Sequence, residues 1–252
     1  MTTDALFIQL EAWHGKQPWG TVLDAGTGEH SLRWLLGLPT DSVTAITASS
    51  QRRHHLTTRF QKELREQDFI LKGNWLNQLF LADTTFDVVL ADYLLGAVEG
   101  FAPYFQSSLF SRLSRHCRDT LYIVGQEPFP QNPATLQGKL VRDIHQLRDA
   151  CILLAGHNCY REYPRYWVIN NLKSSGFTIH QQKIFPICID EHYLNRQLQV
   201  CENKLPFFKN KMIAREMLFH IKEQKHQVSN LLGKQGSFLF GEDYAIQAAI
   251  KQ

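Results

Sequence analysis

A short apolar run ends in an acid and is followed at once by two glycines, VLDAGTG over residues 22–28. No other stretch constrains the chain as much. A strand that stops at Asp24 and turns on Gly26 and Gly28 into a helix needs backbone free of Cβ atoms, either for positive φ or for close approach to the main chain. Such a turn directs the N–H groups of a helix N-terminus outward, where a ligand can accept from them. An ordinary strand-to-helix turn carries the same pattern. Its place after the first strand, and the acid before it, favour the ligand reading.

Downstream, the chain alternates. VTAITA (43–48), FILKGNW (69–75), FDVVLADY (86–93) and TLYIVGQE (120–127) read as strands. Helices are expected over 31–38, after the capping residues Ser49 and Ser50 with Leu56, Phe60 and Leu64 on one stripe, and over 107–117. FDVVLADY is almost continuously apolar, as a strand buried on both faces must be. Strands alternating with helices predict a doubly wound, mostly parallel α/β sheet. Ligands of such sheets lie beyond the carboxyl ends of the strands. That rule selects Asp24–His30, Thr47–Gln51, Asn74–Trp75, Asp92–Tyr93 and Gln126–Glu127.

After a proline-rich linker (127–138) the pattern changes. A helix is marked by Leu140, Ile144, Leu147, Cys151 and Leu154, and a polar, aromatic loop follows over 155–164. The next helix spans 163–176, with Pro164 in its first turn and Gly176 at its C-cap. A strand over 177–187 leads to two helices. Leu194, Leu198, Cys201 and Leu205 stripe the first; Ile213, Met217, Ile221, Val228 and Leu231 stripe the second. The last strand covers 243–251. The reading is one domain over 1–252, with seven strands and an antiparallel last strand. Two helical insertions, about 128–162 and 190–240, are expected to pack on each other as a cap.

Composition narrows the partners. The net charge is +3, and residues 191–252 carry it, with nine basic against six acidic side chains; the remainder balances. A nucleic-acid binder shows a denser basic stripe, so none is expected as partner. Five cysteines without zinc-ligand spacing, in odd number, read as free thiols in a reducing compartment. Asp4 and Glu11 interrupt the N-terminal stretch, which does not read as a leader. No run reaches the ~20 apolar residues of a membrane span. The expectations are a cytoplasmic protein, no membrane association and no metal; a monomer and a homodimer are both compatible with the sequence.

The glycine turn resembles the first motif of the class I S-adenosylmethionine-dependent methyltransferases, an acid followed by GxGxG. Asp24, Gly26 and Gly28 match it, and His30 stands at the third glycine position. FDVVLADY resembles that family's fourth strand, and GFTIHQQKIF with DYAIQAAIK resembles its closing antiparallel hairpin. The resemblance covers most of 20–127, with 164–187 and 243–251. It implies a Rossmann-like methyltransferase fold and S-adenosylmethionine as cofactor; a small-molecule acceptor is expected from the cap and the aromatic loop placed to close over it. It also implies that Asp24, Gly26, Thr27, Gly28 and His30 wrap the cofactor. The family's ribose-binding acid after strand two is missing, so Thr47, Ser49 or Gln51 would serve. Asn74 stands where an acid often receives the adenine amino group. Trp75 either stacks on adenine or fills the core, and Asp92 closes the cofactor set.

Methyl transfer needs a base only where the nucleophile carries a proton. Candidates are Asp92, Tyr93 and Glu127, with Glu99 beside them. His157, Tyr160, Arg161, Tyr163 and Tyr166 form a loop that could hold an acceptor. Arg161 either binds an anionic group of that acceptor or pairs with Glu127 or Glu162. His157 and Cys159 are too few ligands for a metal. A nicotinamide dehydrogenase would carry GxGxxG, but Ser31 holds the third glycine position. A polyamine aminopropyltransferase, with its GGG-type turn, matches less well. No [DN]PP[YF] motif of a DNA amino-methyltransferase follows strand four, and Cys117 is too distant for an RNA cytosine nucleophile. A non-catalytic cofactor-binding module is the remaining alternative.

Overall fold

The computed structural model describes residues 4–233 and 236–251; the first three positions of the N-terminal stretch and two positions of the second expected insertion lie outside them. Seven strands form one sheet: β1 (Thr21–Asp24), β2 (Ser42–Thr47), β3 (Phe69–Lys72), β4 (Phe86–Asp92), β5 (Cys117–Gln126), β6 (Phe177–Asp190) and β7 (Ser237–Ile250). Their order is β3-β2-β1-β4-β5-β7-β6. The first five pair in parallel, and β7 pairs antiparallel with β5, Gln126 opposite Asp243. This is the doubly wound sheet expected from the alternation of strands and helices. Because β7 runs against its neighbour, its first residues enter at the edge where the parallel strands leave.

The α-helices among the described residues are α1 (Ala5–His14), α2 (Glu29–Leu36), α3 (Ser50–Arg59), α4 (Leu94–Val98), α5 (Gln106–Ser114), α6 (Leu136–Leu154), α7 (Arg165–Ser174), α8 (Glu191–Lys204) and α9 (Lys211–Leu232), with a short 3-10 helix over Leu205–Phe207. The chain divides into two compact units. The first is Met1–Glu127 with Tyr160–Phe185 and Asp243–Gln252; the second is Pro128–Cys159 with Pro186–Glu242.

In the first unit, alternation along β1 and β4 feeds two cores. Leu23, Val89 and Ala91 face one, and Val22, Val88 and Leu90 face the other. A strand with both faces covered has no polar side, which is why FDVVLADY reads as nearly unbroken apolar sequence. In the second unit, α6, α8 and α9 share one core, built on Leu140, Ile144, Cys151, Leu194, Leu198, Cys201, Ile221 and Val228.

Several local expectations need correction. α1 and α4 lacked a periodic stripe long enough to be read. α3 ends at Arg59, so Leu64 lies past the helix but still packs on its core. Leu154 is exposed, because the buried stripe of α6 stops one turn earlier. Pro164 is the N-cap of α7 and not part of its first turn; Ser175 is the C-cap, and Gly176 follows with positive φ.

Candidate active site

The turn after β1 is pinned on both sides. The Ala25 N–H donates to the Leu90 carbonyl of β4 (2.8 Å), and the Thr27 N–H donates to the Ile46 carbonyl of β2 (2.7 Å). From below, the Trp75 indole N–H donates to the Ala25 carbonyl (2.8 Å). Trp75 is therefore a buried support of the turn, and the packing alternative describes it. The Ser31 hydroxyl accepts the Gly28 N–H (3.1 Å) and donates to Asp24 Oδ2 (2.8 Å). Asp24 is fully buried, and its Oδ1 has no hydrogen-bond partner among the described residues. Burial pushes its carboxyl up to about 6, against the opposing pull of the Ser31 hydroxyl.

The two glycines serve different ends. Neither has positive φ, so of the two expected reasons for glycine here close approach is the one that remains. A Cβ on Gly26 would stand 2.6 Å from Leu94 Cδ1, so Gly26 is required by the packing of α4. A Cβ on Gly28 would meet no protein atom within 4 Å. The open space lies over Gly28, at the N-terminus of α2, where N–H groups await an acceptor.

At the end of β4 the chain turns through Tyr93, held at φ 47 in the left-handed region. That conformation costs a non-glycine residue about 1–2 kcal/mol. Asp92 precedes it, with no hydrogen bond to its side chain among the described residues. Burial pushes the Asp92 carboxyl up to about 8, and the negative charges of Asp24, Asp4 and Asp243 push it further the same way. The Tyr93 hydroxyl reaches the Asp243 carboxylate, and burial raises the phenol strongly. Asp243 is itself raised to about 6 by burial.

The remaining expected residues divide into groups. Thr47 is buried and its hydroxyl accepts the Ser49 N–H (3.3 Å); Ser49 caps α3 by accepting from the Arg52 N–H. Asn74 accepts the Leu76 N–H and donates to the Phe101 carbonyl (2.9 Å), so both halves of its amide are engaged. His30 is exposed, 3.7 Å from the Asp4 carboxylate. Glu127 accepts the Arg165 N–H (3.0 Å) and thereby caps α7. Glu99, expected at a strand end, is buried; it accepts from the Gln106 amide (2.7 Å) and the Tyr104 N–H.

The aromatic loop packs on the segment after β4. A Cβ on Gly100 would lie 3.0 Å from the Tyr160 ring, the Arg161 N–H donates to the Gly96 carbonyl, and the Glu162 carboxylate abuts Gly96. The Tyr244 hydroxyl donates to the Tyr163 carbonyl (3.0 Å), and the Tyr163 ring lies tilted against Trp167, centroids 4.3 Å apart. Tyr166 is exposed. Glu127 is engaged by Arg165 and not by Arg161; the Arg161 charge helps hold the Glu99 carboxyl below its usual range, after the hydrogen bond from Gln106. His157 belongs to the second unit, beside Lys204 Nζ (3.2 Å) and Phe207.

Ser31, Leu94 and Asp243 were not read from the sequence. Asp243 had a signal. It is an acid at the start of the stretch of β7 that pairs with β5, and an antiparallel strand enters that pairing at the carboxyl edge of the sheet. Ser31 and Leu94 had none, since their roles depend on distances across the turn.

No family model matches the chain, and no curated protein matches it. Solved structures do. A Bacillus halodurans protein classed as a methyltransferase superposes with TM-score 0.62 at 14% identity, over 97% of this chain and 98% of that one. A cyclopropane synthase of Mycobacterium tuberculosis gives TM-score 0.56 at 17% identity, over 99% and 85%. A mycolic acid cyclopropane synthase in complex with S-adenosylhomocysteine gives 0.56 at 15%, over 96% and 82%. The seven strands, their order and the single reversal at β7 are thus those of the class I S-adenosylmethionine-dependent methyltransferase fold.

Proposed function

We propose that the protein is an S-adenosylmethionine-dependent methyltransferase acting on a small-molecule acceptor. One observation carries the reading: Asp24 Oδ1 is buried and unpartnered beneath a turn whose Gly28 faces open space. A buried carboxylate oxygen without a donor is costly, and the ammonium of the cofactor's methionine part is a donor of the right charge. When bound, the cofactor supplies a methyl group on a positively charged sulfur, which leaves as a neutral thioether. The chain's part is to hold and orient. Ser31 fixes the rotamer of Asp24, Gly28 lets a ligand approach the backbone, and Thr47, Ser49 and Asn74 shape the ends of β2 and β3. The dehydrogenase alternative is weaker, because β2 ends at Thr47 and lacks an acid for a nicotinamide ribose. Free cysteines suit a reducing compartment, and no helix among the described residues is long and apolar enough to cross a membrane.

Calorimetry with S-adenosylhomocysteine tests the reading. The wild type binds it, and Gly28→Val abolishes binding while the protein still melts cooperatively, since the new side chain meets only ligand space. Gly26→Val is the wrong probe, because it strikes Leu94 and disturbs the fold. Absence of binding to the wild type, or binding of NAD in its stead, would sink the proposal.

A further inference from the structure

In the second unit, α6 and α8 run side by side in the same direction. His145 Nε2 lies 3.1 Å from the Tyr193 hydroxyl, and Arg148 donates to the Gln197 side chain (2.9 Å). Past their last turns, Lys204 Nζ meets His157 Nδ1 at 3.2 Å, and the His157 and Phe207 rings pack edge to face. The short 3-10 helix then turns the chain into α9, and Lys211 Nζ donates to the Pro206 carbonyl (3.2 Å). The ends of α6 and α8 and the first turn of α9 therefore share one end of this unit.

Large apolar side chains are left in water there. Met212 is 74% exposed, Leu153 61% and Phe207 59%, and Leu154 and Ile213 are exposed as well. None of the five belongs to the core of the unit. The same end is cationic. Between Glu202 and Glu216 the chain carries Lys204, Lys209, Lys211 and Arg215 and no acid. The ion pairs of α8 and α9, Lys225 with Glu202 and His220 with Glu223, use none of these four.

We propose that this end of the second unit docks on the surface of an anionic lipid bilayer, with Met212, Phe207 and Leu153 entering the headgroup region and the four cations facing the lipid phosphates. The inference does not depend on the methyltransferase reading. Exposed apolar side chains set among cations gain twice at such a surface, from burial in the interface and from its negative potential. Docking needs no spanning segment, so it is compatible with the absence of a long apolar helix among the described residues. It revises the expectation of no membrane association, which rested on spanning runs. A second copy of the chain fits less well, because a two-fold axis sets a patch against itself and four cations would face four others. Nucleic acid would engage the cations but leave Met212 and Leu153 without an apolar partner.

The test is co-sedimentation of the full chain with vesicles of phosphatidylcholine alone and of equimolar phosphatidylcholine and phosphatidylglycerol, in low and in high salt. The partition coefficient should be about tenfold or more higher on the anionic vesicles, and high salt should remove the difference. Lys209→Gln combined with Arg215→Gln should lower it about tenfold, and Met212→Ser about threefold or more. All three side chains are exposed, so both variants should melt as the wild type does. No pelleting, equal pelleting with the two lipids, or indifference to either variant overturns the proposal. So does salt-sensitive binding to duplex DNA without binding to vesicles, or a dimer in sedimentation velocity that Met212→Ser dissociates, the outcomes of a nucleic-acid face and of a self-association face.

Discussion

Single residues at the carboxyl edge of the sheet carry strain that the rest of the fold must offset. Asp92 carries the clearest share. Its carboxyl is raised in the folded protein to about 8 by burial first and by neighbouring acids second, whereas in the unfolded chain it titrates near its ordinary value of about 3.9. A folded-state value above the unfolded one means the native state binds the proton more tightly. The stabilising contribution is complete below about pH 4 and is lost as pH rises through about 8. Asp92→Asn removes this dependence. The variant should match the wild type near pH 4 and exceed it at pH 8 by at least about 1 kcal/mol, or roughly 2–4 °C in Tm. Thermal melts across that range check it; a variant less stable than wild type at pH 8 would show that the Asp92 charge is compensated. Asp24 and Asp243, both raised to about 6, add a shallower slope of the same sign in the wild type and the variant alike.

At the level of elements, the ends of strands and helices hold one another. α7 starts at Pro164, which has no side-chain acceptor, so its first N–H groups depend on another element. Glu127, just past β5, accepts the Arg165 N–H and places a negative charge at the helix N-terminus. Glu127→Ala should therefore cost about 1 kcal/mol, read as a lower midpoint in urea denaturation. An unchanged midpoint would show that water caps the helix equally well. The same region is tied from β7, where the Tyr244 hydroxyl donates to the Tyr163 carbonyl and lies 2.4 Å from where a Cβ on Gly125 would stand. Gly125, the last residue but one of β5, is thus a glycine required by a neighbouring ring.

For the molecule as a whole, the chain builds separate cores. Those of the first unit lie on either face of the sheet, and that of the second is made by α6, α8 and α9. Leu198 is fully buried in the second core. Leu198→Ala should cost about 2–5 kcal/mol of local stability, from lost burial and the cavity left behind. Hydrogen exchange should then accelerate over 128–159 and 186–242 before it does in β1 and β4. Uniform acceleration across the chain would show that the two units open as one.

Much of the sheet was legible in the sequence, because strand burial leaves a local record. β4 must be apolar on both faces, and a turn on Asp24, Gly26 and Gly28 between strand and helix is a contiguous pattern. Amphipathic stripes likewise recorded α6, α8 and α9, since a helix covered on one face repeats every three or four residues. The site was less legible. Trp75 as support of the turn, Gly26 as the space for Leu94, and Glu127 as the cap of α7 all depend on partners far along the chain. The aromatic loop could be noticed, but not that it lies against Gly96 and Gly100. Above all, Asp24, Asp92 and Asp243 are separate acids in three strands of the sequence. They come to the same edge only through the order β1-β4-β5-β7 and the reversal of β7. Periodicity reports which face of an element is buried; long-range charge interaction depends on distances that only the folded sheet defines.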